Sequence, residues 1–77
     1  MNIKLEQFYK KLGKRIKFLR EQRGLTQQAL AEKSGISLNY LGKIEVAMNK
    51  PRLKTIFKIA EALEINPYEF FNFEDED

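Results

Sequence analysis

The chain contains neither cysteine nor histidine, and the two absences together exclude whole classes of chemistry. Without thiols there are no disulfides and no thiolate nucleophile, and without imidazole there is no histidine acid/base catalysis. The common zinc ligand sets are lost with them. There are only two prolines, Pro51 and Pro67, and both stand where a helix should begin. No unbroken apolar run exists, and Lys4, Glu6, Lys10 and Lys11 interrupt the amino-terminal part. Neither a signal peptide nor a membrane span can therefore be drawn, and a cytoplasmic location is expected. Repeats and low-complexity runs are missing too, apart from the terminal Glu74 to Asp77. That acidic tail reads as a disordered, solvating segment. No paired carboxylates, phosphate-cradling glycine loop or nucleophile with a base can be assembled, so the expectation is no enzyme, no metal and no cofactor.

What is present is enough for one domain over residues 1–77. A chain of this length buries about 60% of its unfolded surface, which leaves little room for an internal catalytic cleft. Its net charge of +3 is unevenly spread. Residues 1–24 carry eight Lys/Arg against two acids, residues 25–66 carry six against four, and residues 67–77 carry five acids and no base. Removing the tail leaves a body of +8. That suits a polyanionic partner, although a lysine-rich solvated helix face would give the same count.

The apolar spacing is helical throughout. Leu5, Phe8, Leu12, Ile16 and Leu19 recur at steps of three and four and predict an amphipathic helix over about residues 5–23, stopped by Gly24. Lys10, Lys11, Lys14, Arg15 and Lys17 fall opposite that stripe and read as its solvated face. Thr26 can cap a second helix reaching Ser34, with Leu30 and Ala31 inward. After Gly35, Ser37 can cap a third helix ending near Val46, with Leu41 and Ile44 on its buried side. A fourth should span Leu53 to Leu63 on a stripe of Ile56, Ile59, Ala60 and Leu63. Asn66, Pro67 and Glu69 have the pattern of a cap, a first-turn proline and a capping-box acid, which predicts a short fifth helix through Phe70 and Phe71.

Two short helices joined by a glycine-containing turn form a helix-turn-helix, placed here at about residues 27–46. The segment TQQALAEKSGISLNYLGKIE resembles the motif of the phage-repressor-type regulators, the Cro and lambda-repressor-like XRE family. The resemblance covers about residues 12–71. It rests on Gln27 opening the second helix, Ala31 at the helix crossing, Gly35 in the turn, and Leu41 and Ile44 in the core. It implies an all-α, compact five-helix, lambda-repressor-like DNA-binding domain acting as a transcriptional regulator. It also implies a structural ion pair between Arg20 and Glu45. One position departs from the family, which usually has glycine two residues after this glutamate, where the chain has Ala47. Either the third helix runs on, or the loop over residues 46–50 turns differently.

In a helix-turn-helix the start of the second motif helix enters the major groove of double-stranded DNA. Ser37, Leu38, Asn39, Tyr40 and Lys43 are thereby expected to meet bases. Asn39 has the donor and acceptor that adenine N6 and N7 require, and Lys43 can donate to guanine O6 or N7. Leu38 suits a thymine methyl; an ordinary surface leucine is the other reading. Gly42 on the outer side would allow close approach to DNA. Gln27 and Gln28, with Asn49, Lys50 and Arg52, are expected on the phosphates. A domain reading so few base pairs gains specificity as a symmetric homodimer on half-sites about 34 Å apart. Ile65, Tyr68, Phe70, Phe71 and Phe73 offer the apolar surface for that contact, with intramolecular core as the alternative. No small-molecule effector is evident. Phage repressors, restriction-modification controllers and antitoxins all use domains of this size. A helical protein-interaction module remains the rival class.

Overall fold

The computed structural model describes residues 4–72. Four α-helices follow in order, α1 over Leu5–Gln22, α2 over Gln27–Ser34, α3 over Leu38–Glu45 and α4 over Leu53–Leu63, and a 3-10 helix over Pro67–Phe71 ends the described chain. No strand occurs among the described residues, and no helix there is long and apolar enough to cross a membrane.

The starts of α2 and α3 are set by side-chain caps. The Thr26 Oγ1 accepts from the Ala29 amide at 3.0 Å, and the Ser37 hydroxyl accepts from the Tyr40 amide at 3.0 Å. The ends share one geometry. A residue in the left-handed region follows each α-helix, and the amide after it reaches back five residues: Leu25 to the Arg20 carbonyl, Ile36 to Ala31, Met48 to Lys43, Ile65 to Ala60. Gly24 and Gly35 adopt this conformation without a Cβ, whereas Ala47 (φ 62°) and Glu64 (φ 59°) hold it against a strain of about 1–2 kcal/mol each. The departure at Ala47 thus leaves the loop's left-handed turn intact, and α3 stops at Glu45.

All five elements feed one core. Leu12 and Ile16 of α1 meet Leu30 and Ala31 of α2, Leu41 and Ile44 of α3, the α4 stripe Ile56, Ile59, Ala60 and Leu63, and Phe70. Each large side chain so buried contributes about 1.5–3 kcal/mol against the ordering of the backbone.

Three expectations need correction. The predicted fifth helix is a 3-10 helix, so the α-helices number four. Pro67 does occupy its first turn, but Asn66 makes no side-chain cap and the Glu69 amide bonds to the Asn66 carbonyl three residues back. Glu69 instead offers its own carbonyl to Arg15 Nε at 2.9 Å, while Phe70 drops fully into the core. Arg15, assigned to the solvated face of α1, is therefore 2% exposed. Leu5, counted in the apolar stripe, is 60% exposed because the first turn of α1 projects past the core.

Candidate nucleic-acid interface

α3 is anchored along one side and open along the other. Leu41, Ile44 and Glu45 are buried, and at 100° per residue Asn39 and Lys43 stand on the opposite face, one turn apart. Both are exposed, as is Leu38 at 47%. Ser37 is also exposed, but its oxygen is committed to capping α3, which leaves its hydroxyl proton to donate. Tyr40 is set apart from this group, half-buried and packed against the core. Gly42 lies beside Gln27, whose side chain would be 3.9 Å from an added Cβ, so alanine would fit there.

The angle of α3 is held from α1. Arg20 is 7% exposed and Glu45 5%. Arg20 Nε donates to Glu45 Oε2 at 2.8 Å, its Nη2 donates to Oε1 at 3.2 Å, and its Nη1 donates to the Leu25 carbonyl at 2.8 Å. The planar guanidinium thus grips the carboxylate with two donors while a third satisfies the chain after α1. Gln27 Nε2 adds a further bond to Glu45 Oε1 at 2.9 Å, which fastens the start of α2 to the end of α3. Gln27, expected on a phosphate, therefore also serves inside the motif.

Gly13 completes this anchor and was passed over in reading the sequence. A Cβ there would lie 2.5 Å from the Glu45 carbonyl oxygen and 2.6 Å from that of Ile44, so only glycine lets α1 sit against the last turn of α3. A lone glycine inside an otherwise periodic helix was the available signal.

The remaining expected phosphate contacts lie around this unit. Gln28 is exposed in the first turn of α2, and Asn49, Lys50 and Arg52 are exposed between α3 and α4. Lys50 Nζ lies 5.9 Å from the Tyr9 ring centroid. Of the residues expected at a dimer contact, Phe70 is 0% exposed and belongs to the intramolecular core, because the 3-10 helix turns it inward. Phe71 is partly exposed and stacks on Phe8 with ring centroids 5.6 Å apart. Tyr68 is exposed, and Ile65 is half-buried against the core. Phe73 and the acidic tail lie outside the described residues.

These features define a helix-turn-helix, and the chain belongs to that family, whose model, described as Helix-turn-helix, matches residues 16–70. Among individual proteins, it is 46% identical over 54 residues to the immunity repressor protein of Bacillus phage phi105, covering 70% of this chain and 38% of the repressor's length. It is 33% identical over 67 residues to the uncharacterized HTH-type transcriptional regulator y4dJ of Sinorhizobium fredii, covering 87% of each. In structure it is similar to the restriction-modification controller protein C.AhdI from Aeromonas hydrophila, with a TM-score of 0.81 and 40% identity over 82% of this chain and 96% of that one.

Proposed function

We propose that this chain is a transcriptional regulator that binds double-stranded DNA in a sequence-specific manner, as a homodimer on a two-fold-symmetric operator. The observation that carries the reading is the asymmetry of α3. Its inner side is locked by Arg20, Gln27 and Glu45, while Asn39 and Lys43 stand free on the outer side. A helix held at a set angle with an amide and an ammonium one turn apart is a reader of base edges in the major groove. Leu38, in the first turn, suits a thymine methyl, and the hydroxyl proton of Ser37 can donate to a base or a phosphate. Tyr40 contributes less, since its ring leans on the core.

Gln28, Asn49, Lys50 and Arg52 hold the phosphates on either side, with Gln27 at the positive end of α2. These contacts set affinity and its salt dependence rather than sequence preference. The whole of residues 1–77 acts as one domain, in the cytoplasm, without a cofactor.

Selection of bound sequences from random duplex DNA tests the proposal. A consensus with two-fold symmetry is expected, and Asn39→Ala should relax preference at one base pair of each half-site. No enrichment even at low salt would overturn the DNA-binding reading. Equal loss at every position for Asn39→Ala would remove its assignment as a base reader.

A further inference from the structure

The first half of α1 runs past the end of α3 and overhangs the loop that follows it. Gly13 lies against the Ile44 and Glu45 carbonyls. Tyr9 is four residues earlier on the same face of α1, so its ring falls beside the next stretch of chain, residues 46–50. There Glu6, Tyr9 and Lys10 of α1 and Ala47 and Lys50 of the loop line an open hollow of about 240 Å³. Both lysines are exposed. The Lys50 ammonium is 5.9 Å from the centroid of the Tyr9 ring, which is itself half-buried against the core and meets Phe8 edge-on at 5.4 Å. The ring is thus a fixed platform under a cation on an otherwise mobile stem. The loop is poor in charge. Between Glu45 and Leu53 its only cations are Lys50 and Arg52, while Val46 and Met48 are apolar and 64% and 75% exposed.

We propose that this hollow seats one phosphate of the DNA backbone between the ammonium groups of Lys10 and Lys50, with Tyr9 as the positioning residue that keeps Lys50 aimed into it. The inference rests on the DNA-binding reading above and adds α1 to the surface that touches DNA. Two ammonium groups from elements far apart in sequence border a space open to solvent, which suits a compact anion. Its floor is the turn at Ala47 that ends α3, so a phosphate there lies at the margin of the groove that Asn39 and Lys43 read, where a contact fixes register. Lys10 is thereby set apart from Lys14 and Lys17, which do not border the hollow. Glu6, one turn before Lys10, does border it, and its carboxylate opposes the phosphate and holds affinity down. Tyr9 and Lys10 both precede residue 16, where the match to the helix-turn-helix family begins, so the seat belongs to this chain's own extension of α1.

The test is binding of the full chain to short duplex DNA of random sequence over a range of salt concentrations, with thermal melts confirming that each variant folds. The double variant K10Q/K50Q should lower the slope of log affinity against log salt by about 0.9, the share of one neutralised phosphate, and each single variant by part of that. No change for Lys10→Gln, or a drop of about 1.8 for the double variant, would overturn the shared seat. Tyr9→Leu should weaken binding about two- to fivefold, Tyr9→Phe should retain wild-type affinity, and Tyr9→Leu should have no further effect once Lys50 is glutamine. A loss that persists in the Lys50→Gln background would overturn the positioning role. Glu6→Gln should tighten binding; weaker binding would place the phosphate elsewhere. Lys58→Gln, on the exposed side of α4 and outside the hollow, should leave the slope unchanged, and an equal drop there would reduce the effect to net charge. A wild-type chain that binds no duplex at low salt refutes the DNA reading and the seat with it, whereas binding that ignores Lys10→Gln refutes the seat alone.

Discussion

Two arginines five residues apart on α1 are both buried, and they tie down different elements with different strength. Arg20 closes on Glu45 with two donors, and the Glu45 side chain is 2% exposed. Arg15 reaches across to the 3-10 helix, where its firm bond is to the Glu69 carbonyl, and the Glu69 carboxylate lies 3.7 Å away with its side chain 39% exposed. Charge-to-charge attraction is screened at the second site and not at the first. Arg15 also lies 5.4 Å from the centroid of the Phe18 ring, so packing supplies part of its hold. The pair that is closed to water is the one that holds α3 against α1. The looser one secures the end of the described chain.

The contrast can be broken at its strong end first. Glu45→Ala should cost about 3–5 kcal/mol, because it leaves the Arg20 guanidinium buried without its carboxylate. A chain of this size has only about 5–10 kcal/mol in total, so urea denaturation should find the variant close to unfolded at 25 °C. Arg20→Ala should act alike and lower DNA binding with it. An unchanged melting temperature for either would dismiss the clamp. Replacing both by apolar residues of similar volume, R20M/E45L, should cost far less than either single change.

Gly13→Ala sharpens the comparison without touching a charge. Its Cβ would press on the Ile44 and Glu45 carbonyls and push α3 from α1, at an expected cost of about 1–3 kcal/mol. Two residues past Glu45, Ala47→Gly should relieve left-handed strain and raise the melting temperature by a few degrees, since about 1 kcal/mol moves it by about 4–8 °C in a domain of this size and the flexible unfolded glycine offsets part of the gain. The smallest effect belongs to the weak end. Glu69→Gln should change stability by less than about 0.5 kcal/mol, because the backbone carbonyl that Arg15 uses is retained. A loss comparable to Glu45→Ala would erase the distinction between the two arginines.

How far the sequence could be read differs between these sites for a physical reason. The helical stripes, the caps at Thr26 and Ser37 and the glycine at position 35 depend on local geometry, and they are visible in the order of residues. Asn39 and Lys43 were legible for the same reason, since their exposure follows from the helical period once Leu41 and Ile44 are placed inside. The burial of Arg15 was not, because it sits on the flank of the stripe, three residues after Leu12 and four before Leu19, where a charged side chain reads as solvated until the returning 3-10 helix accepts its hydrogen bond. Phe70 was misplaced by the same blindness. A terminal aromatic has one appearance in sequence whether it faces a second chain or turns back into its own core.

By itself, the sequence determined that this is an all-helical chain with a helix-turn-helix, where its elements begin and end to within a residue or so, and which side of α3 is free. Local hydrogen bonding and the 3.6-residue period suffice for that. Only the tertiary structure decided that Gly13 sits against α3, that Gln27 joins the Arg20 to Glu45 clamp, that Arg15 is interior, and that Tyr9 lies beside Lys50. Those four depend on which surfaces meet across stretches of chain far apart in sequence, and no local rule encodes such meetings.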